Sequence, residues 1–346
     1  MAARGAAPDD RKEGMETERA PGKGEGRGVI DYLRISITDR CNLRCVYCMP
    51  AEGVESMSHD DILTYEEIQA FARAASEAGI RRVRITGGEP LVRKGAPRLV
   101  RMLREADKEF SISLTTNGLL LARYADELKE AGLSRVNVSL DTLDESRYAE
   151  ITRVGRLSDA MSGLDAALEA GLEPVKINVV VLKGLNDDPG PFVELARTRP
   201  LHVRFIEYMP YFGERGRWYV PGDVIKSRIA ALGVIEEVAS PEGWGPADYF
   251  KLRGSEGTLG LISPVSCHFC PSCNRLRLTA DGRMRTCLFD RDGYDVRSEL
   301  RAGADTGRLR EIIEGELQRK RDEGDDHKPG SGSGVRAGDH MSRIGG

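Results

Sequence analysis

The chain has 346 residues, 40% apolar and 31% charged, with a formal net charge of −4. That length accommodates two ordinary domains with a sizeable core. No apolar run approaches the ~18 residues of a membrane span, and the acidic balance offers no global cationic field for gripping nucleic acid. The cysteines are the informative residues: Cys41, Cys45 and Cys48 form one tight group, Cys270, Cys273 and Cys287 a second, and Cys267 adjoins the second. An odd, clustered set argues against a secreted disulfide framework and for metal ligation in the cytoplasm.

In chain order, residues 1–28 are rich in Gly, Pro and charge and read as a disordered tail without an apolar signal-peptide core. A repeated pattern follows. Glu77-Ala78-Gly79-Ile80, Glu130-Ala131-Gly132-Leu133 and Glu169-Ala170-Gly171-Leu172 each lead into a β-rich run. Each glycine stands where a helix closes with φ > 0. The preceding segments carry helical spacing, as in Ile68, Phe71, Ala75 and Ala78, or Met161, Leu164 and Leu168. Strands are predicted near 32–37, 82–86, 111–115, 135–139, 175–182 and 202–207. These units span fewer residues than the ~250 of a complete eight-stranded barrel. The expectation is α/β: an incomplete, six-unit TIM-like barrel over residues 29–215, with a doubly wound sheet as the alternative. A small β-containing cysteine module over 216–321 follows, then a flexible linker over 322–340 and a terminal segment, 341–346.

Within the strands, Arg84, Asn137, Lys176 and Arg204 alternate with apolar neighbours. Helices should cover the apolar face, so these polar residues would line the interior and favour an anionic ligand there. The first cysteine group, Cys41-Asn42-Leu43-Arg44-Cys45-Val46-Tyr47-Cys48, follows the first strand on a loop where barrel chemistry sits. Three thiolates reach three corners of an iron–sulfur cube and leave one iron open. A closed zinc site wants four ligands, and the next cysteine is Cys267.

This Cys-x₃-Cys-x-aromatic-Cys loop resembles the signature of radical S-adenosylmethionine enzymes. The resemblance implies a partial barrel, a [4Fe–4S] cluster on Cys41, Cys45 and Cys48, and S-adenosylmethionine chelated to the open iron. Reductive cleavage of that cofactor would release a 5′-deoxyadenosyl radical. The resemblance also assigns cofactor contacts to Tyr47, to Gly88 and Glu89 of Thr86-Gly87-Gly88-Glu89-Pro90, to Ser139 with Asp141 after the fourth strand, and to Met209 after the sixth.

In the second group, Cys270-x₂-Cys273-x₁₃-Cys287 encloses the turn signal Asp281-Gly282, which would fold Cys287 back towards the pair. Arg275 and Arg277 alternate with leucines and leave one strand face, as suits phosphate or a purine edge. With Cys267 the group also offers four ligands for a zinc ribbon, and local spacing leaves both readings open. The run Phe269–Leu278, with Gly282 and Cys287-Leu288, resembles the auxiliary-cluster motif of the GTP 3′,8-cyclase family. That resemblance implies a second [4Fe–4S] cluster on Cys270, Cys273 and Cys287, with an open iron for guanine and Cys267 a spare thiol. It places GTP against Arg34, Arg84, Thr115, Lys176, Arg275 and Arg277, and catalytic roles on Arg275, Arg277 and the terminal Gly345-Gly346, threaded into the barrel. It further implies a reduced flavodoxin- or ferredoxin-type electron donor, hand-off of product to cyclic pyranopterin monophosphate synthase, and compatibility with a homodimer. The rival readings are a peptide-modifying two-cluster radical enzyme and a zinc-binding interaction protein.

Overall fold

The structure, a computed structural model, describes residues 29–209, 216–241, 245–267, 269–290, 293–322 and 341–344. The expected tail at 1–28, residues 323–340 of the expected linker, and Gly345 and Gly346 lie outside the described residues.

Six β/α units come first. Strands β1 (Tyr32–Ser36), β2 (Arg82–Thr86), β3 (Ser111–Thr116), β4 (Arg135–Ser139), β5 (Val175–Val181) and β6 (His202–Glu207) run parallel in chain order. Between them lie α1 (Tyr65–Glu77), α2 (Ala96–Ala106), α3 (Leu121–Glu130), α4 (Glu145–Thr152), α5 (Leu157–Glu169) and α6 (Gly190–Thr198). A capping box fixes the start of α1: Thr64 accepts from the Glu67 amide while the Glu67 carboxylate accepts from the Thr64 amide. Helices α1, α3 and α5 all end on the same device. Gly79, Gly132 and Gly171 have positive φ, and the next residue donates back to the helix: Ile80 N to Ala75 O, Leu133 N to Leu128 O, Leu172 N to Ala167 O. This is the Schellman closure anticipated by the Glu-Ala-Gly repeat.

The remaining elements are α7 (Gly222–Ala230), β7 (Ile235–Glu237), β8 (Asp248–Leu252), β9 (Thr258–Ile262), β10 (Arg275–Leu278), β11 (Arg283–Arg285), β12 (Tyr294–Asp295), α8 (Val296–Arg301), α9 (Thr306–Asp322) and the single turn α10 (Met341–Ile344). Their strands continue the first sheet at both ends. β9 pairs parallel with β6 and β10 parallel with β1, giving one 12-stranded sheet ordered β12-β11-β10-β1-β2-β3-β4-β5-β6-β9-β8-β7. The sheet does not close, so the architecture is an incomplete TIM-like barrel. Its parallel part runs from β10 to β9, two strands more than the six units alone supply. The hairpin at Asp281-Gly282 joins β10 to antiparallel β11, with Gly282 at φ 76°.

Alternation divides the sheet into two faces. Leu33, Ile35, Val83, Ile85, Ile112, Leu114, Val136, Val138, Ile177 and Val203 are buried together with Ile68, Phe71, Leu99, Leu103, Leu128 and Leu164 of the helices. Each such side chain contributes roughly 1.5–3 kcal/mol on burial. The other face is polar: Tyr32 and Arg34 on β1, Arg84 on β2, Ser113 and Thr115 on β3, Asn137 and Ser139 on β4, Lys176 and Asn178 on β5, His202 and Arg204 on β6, Arg275 and Arg277 on β10. No carboxylate occupies an inward position on these strands. A polar interior is costly unless something fills it.

Candidate active site

A cavity of ≈ 290 Å³ is lined by inward-facing strand residues and by the loops that follow the strands. Its wall carries Cys41, Cys45, Cys48 and Tyr47 of the first cysteine loop, Gly88 after β2, Ser139 of β4, Met209 after β6, Arg34, Arg84, Thr115, Arg204, Arg275, Arg277 and Met341. Residues up to 309 positions apart in sequence thus meet in one chamber.

The first cysteine loop is braced from several sides. Cys48 N and Met49 N both donate to Cys45 O at 2.9 and 3.2 Å. Backbone bonds from Arg44 N to Thr152 O (3.0 Å) and Val46 N to Ile151 O (2.9 Å) pin the loop to the end of α4. There Arg153, a non-glycine residue at φ 61°, donates to Arg44 O and Met49 O at 3.0 and 2.9 Å. Asn117 approaches Cys41 Sγ at 3.9 Å. Tyr47 donates to Asp141 at 2.7 Å, and Asp141 also accepts from Val180 N at 2.8 Å, so the aromatic is fixed by β4 and β5.

Gly87 and Gly88 are required by loop contact. A Cβ on Gly88 would lie 2.4 Å from Arg40 O, and one on Gly87 2.7 Å from Thr38 O. Only glycine lets the loop after β2 lie against the backbone leading into the cysteines. Glu89, 1% exposed, stands behind the wall rather than on it. Its carboxylate accepts from Leu91 N (3.0 Å), Thr116 Oγ1 (2.8 Å) and Asn117 N (2.7 Å), tying the β2 loop to the β3 loop.

The charge pattern is one-sided. Burial, then Arg277 and Arg84, hold the Arg34 guanidinium well below its ordinary range. Burial pulls Arg84 down to about 10. Burial alone would raise the Tyr32 phenol, but Arg84, Arg34, Arg275 and Arg135 together bring it below its usual value. Arg84 stacks over the Tyr32 ring at 5.3 Å and donates to Ser113 Oγ at 3.2 Å, and Arg204 donates to Asn137 Oδ1 at 3.0 Å. Arg277 lies opposite Arg34 in the sheet register, and Arg275 opposite Tyr32. The parallel pairing of β10 with β1 therefore aims both arginines into the chamber, not at solvent. Guanidiniums that repel one another while buried are stabilised by an entering polyanion.

The thiols suit a cluster. None of the seven cysteines is in a disulfide. Burial pushes Cys41 up to about 11 and Cys48 up to about 12, and Cys45 well above its ordinary value, with neighbouring thiols and Asp141 adding to the last two. Three half-buried thiols close enough to feel one another's charge are stabilised as thiolates by a shared cationic centre. In the second group burial would raise Cys273, but Arg275 and Lys320 bring it down to about 7. Cys270 and Cys273 flank a 3-10 turn closed by Cys273 N to Cys270 O at 3.1 Å, while Cys267 is exposed. Cys270, Cys273 and Cys287 lie off the cavity wall, although their neighbours Phe269 and Leu288 are on it. Lys176 also lies off the wall. It is 2% exposed, on the inward face one step before Asn178, beside His202 in register and 5.9 Å from the Tyr249 ring. Asn178, Asn117 and Tyr32 are wall residues outside the set that the sequence motifs mark. Alternation with Lys176 and Arg34 marks Asn178 and Tyr32 as inward, whereas Asn117 carries only a turn signal.

A barrel-like sheet, a three-thiol loop beyond β1 and a cationic chamber define a class, and sequence comparison agrees. The profile of the radical SAM superfamily matches residues 35–196, and that of Molybdenum Cofactor Synthesis C residues 201–325. A solved structure of Streptococcus suis SuiB bound to S-adenosylmethionine superposes at TM-score 0.57 and 16% identity, over 82% of this chain and 67% of that one, and shares the fold. The chain is a radical SAM protein. The GTP 3′,8-cyclase of Pelotomaculum thermopropionicum is 52% identical over 290 residues, covering 82% of this chain and 89% of that protein. The Moorella thermoacetica protein of the same name is 53% identical over 287 residues, with the same coverage. The chain therefore belongs to the GTP 3′,8-cyclase family.

Proposed function

We propose that this chain is a GTP 3′,8-cyclase, converting GTP to (8S)-3′,8-cyclo-7,8-dihydroguanosine 5′-triphosphate in the first step of molybdenum cofactor biosynthesis. The observation that carries the reading is the meeting of Arg34, Arg84, Arg275 and Arg277 with Cys41, Cys45 and Cys48 on one cavity wall. When bound, a [4Fe–4S] cluster on those cysteines and S-adenosylmethionine supply the 5′-deoxyadenosyl radical that removes the ribose C3′ hydrogen.

The protein's part is binding, orientation and exclusion of water. Tyr47, Gly88, Ser139 and Met209 offer the cofactor a wall, and Glu89 fixes the loops that present it. The guanidiniums of Arg34, Arg84, Arg275 and Arg277 neutralise the triphosphate, with Thr115 beside them and Lys176 extending the positive face deeper. Ribose C3′ is held facing the cofactor, so that its bond to guanine C8 forms without competing reactions. One electron and one proton complete the product, which is an isomer of GTP. Cys270, Cys273 and Cys287 hold a second [4Fe–4S] cluster at the guanine end.

The residue limits 29–215 for the barrel, 216–321 for the cluster module and 322–340 for the linker belong to this reading. Met341 on the cavity wall and the burial of Ile344 support delivery of Gly345-Gly346 to the substrate. A reduced flavodoxin or ferredoxin would supply electrons, and cyclic pyranopterin monophosphate synthase would take the product. Seven cysteines outside any disulfide suit a cytoplasmic enzyme, and assembly as a homodimer is compatible with the same chemistry.

The test is anaerobic incubation of the reconstituted protein with S-adenosylmethionine, reductant and GTP deuterated at C3′. The expected products are singly deuterated 5′-deoxyadenosine and a GTP isomer. Unlabelled 5′-deoxyadenosine, with GTP unchanged, would overturn the reading.

A further inference from the structure

A buried lysine stands outside the chamber and has no part in the chemistry above. Lys320, in the last turn of α9, is 4% exposed, although lysine is among the side chains least often buried. Its ammonium donates to Thr286 O at 2.6 Å, next to Cys287, and lies 3.7 Å from Cys273 Sγ. The adjacent Arg319 grips the same loop. It donates to Asp290 at 2.8 Å, and Asp290 accepts from Thr286 N and Thr286 Oγ1 at 3.1 and 3.2 Å. The last turn of α9 thus spans two arms of the second cysteine group, and one ammonium touches both.

We propose that Lys320 is a positioning residue of the second cluster, holding the Cys273 and Cys287 arms at their spacing and placing a fixed positive charge against a ligand sulfur. This rests on the two-cluster reading. An N–H donor to a cluster sulfur and a nearby cation both favour the reduced form, and so raise the reduction potential. Lys320 is not on the cavity wall, so its influence reaches substrate only through the cluster.

The test uses the full chain with Cys41, Cys45 and Cys48 replaced by Ala, so that only the second cluster contributes iron. Lys320→Met removes both the donor and the charge, and Lys320→Gln removes the charge alone. Electron paramagnetic resonance during a potentiometric titration reads the cluster, a ferrous chelator reads its retention, and circular dichroism reports folding. Both variants are expected to shift to lower potential. In Lys320→Met the ratio of reduced to oxidised cluster at fixed potential should fall about tenfold, as for loss of a charge-assisted contact, equivalent to 59 mV for one electron. Iron release should be fastest in that variant. If Lys320→Met does not fold, Lys320→Gln decides by the same shift. An unchanged potential in folded, iron-loaded variants overturns the role of Lys320 and leaves the two-cluster reading standing. A parent that binds no cluster overturns both.

Discussion

Replacing Glu89 by Gln should change how stability depends on pH more than it changes stability itself. The Glu89 carboxyl is buried and raised from 4.5 to about 7, chiefly by burial, despite three hydrogen bonds that favour its ionised form. A carboxyl whose folded value lies above its unfolded value binds its proton more tightly in the native state. Its contribution to stability is full below pH 4.5 and is lost as pH rises through about 7. Carried across that window, the loss is about 3 kcal/mol. Glutamine is nearly isosteric but turns an amide donor towards the Asn117 N–H, a pH-independent cost of roughly 1–3 kcal/mol. The variant should therefore be less stable than the parent near pH 5, and by pH 7.5 the difference should have closed or reversed. Denaturant unfolding of the metal-free proteins at half-unit steps, read by circular dichroism, gives the difference curve, in which other titrating groups cancel. Parallel profiles across the whole range would refute the assignment of this titration to Glu89.

Two further outcomes follow from the same geometry. Arg277→Ala should weaken GTP binding in anaerobic calorimetry by about ten- to a hundredfold, the scale of one lost charge-assisted contact; an unaltered affinity would remove Arg277 from the substrate face. Arg153→Gly and Arg153→Ala should both release iron from the first cysteine loop several times faster than the parent, because both lose the bonds to Arg44 O and Met49 O. The alanine variant should be less stable than the glycine variant by about 1 kcal/mol, since φ 61° is left-handed; equal iron retention in all three proteins would show that this clamp is dispensable.

Much of this was legible from residue pattern alone. Helix-closing glycines recur before three strands, because φ > 0 is a local demand that one residue type answers. The two cysteine groups were legible because metal ligation concentrates a reactive side chain within a few residues. Alternation placed Arg84, Asn137 and Arg204 inside. What stayed hidden was non-local. Nothing in Arg275-Leu276-Arg277-Leu278 says that its partner is β1, some 240 residues earlier, rather than a neighbouring hairpin alone. The pairing of Thr258–Ile262 with β6 is equally silent, and a six-strand expectation resulted. Glu89 carries the other lesson: its buried role depends on Thr116 and Asn117, which reach it only through the fold.

The joining of β9 and β10 to opposite ends of the first six strands has a consequence for how the chain is made. As the polypeptide leaves the ribosome, β1 and β6 emerge with unpaired flanks, and both stay bare until residues 258–278 have been synthesised. Exposed strand flanks recruit one another between chains. A chain stopped short of β10 would be not a smaller catalyst but a sticky fragment, and the arginines that complete the chamber arrive together with the strand that covers the flank of β1.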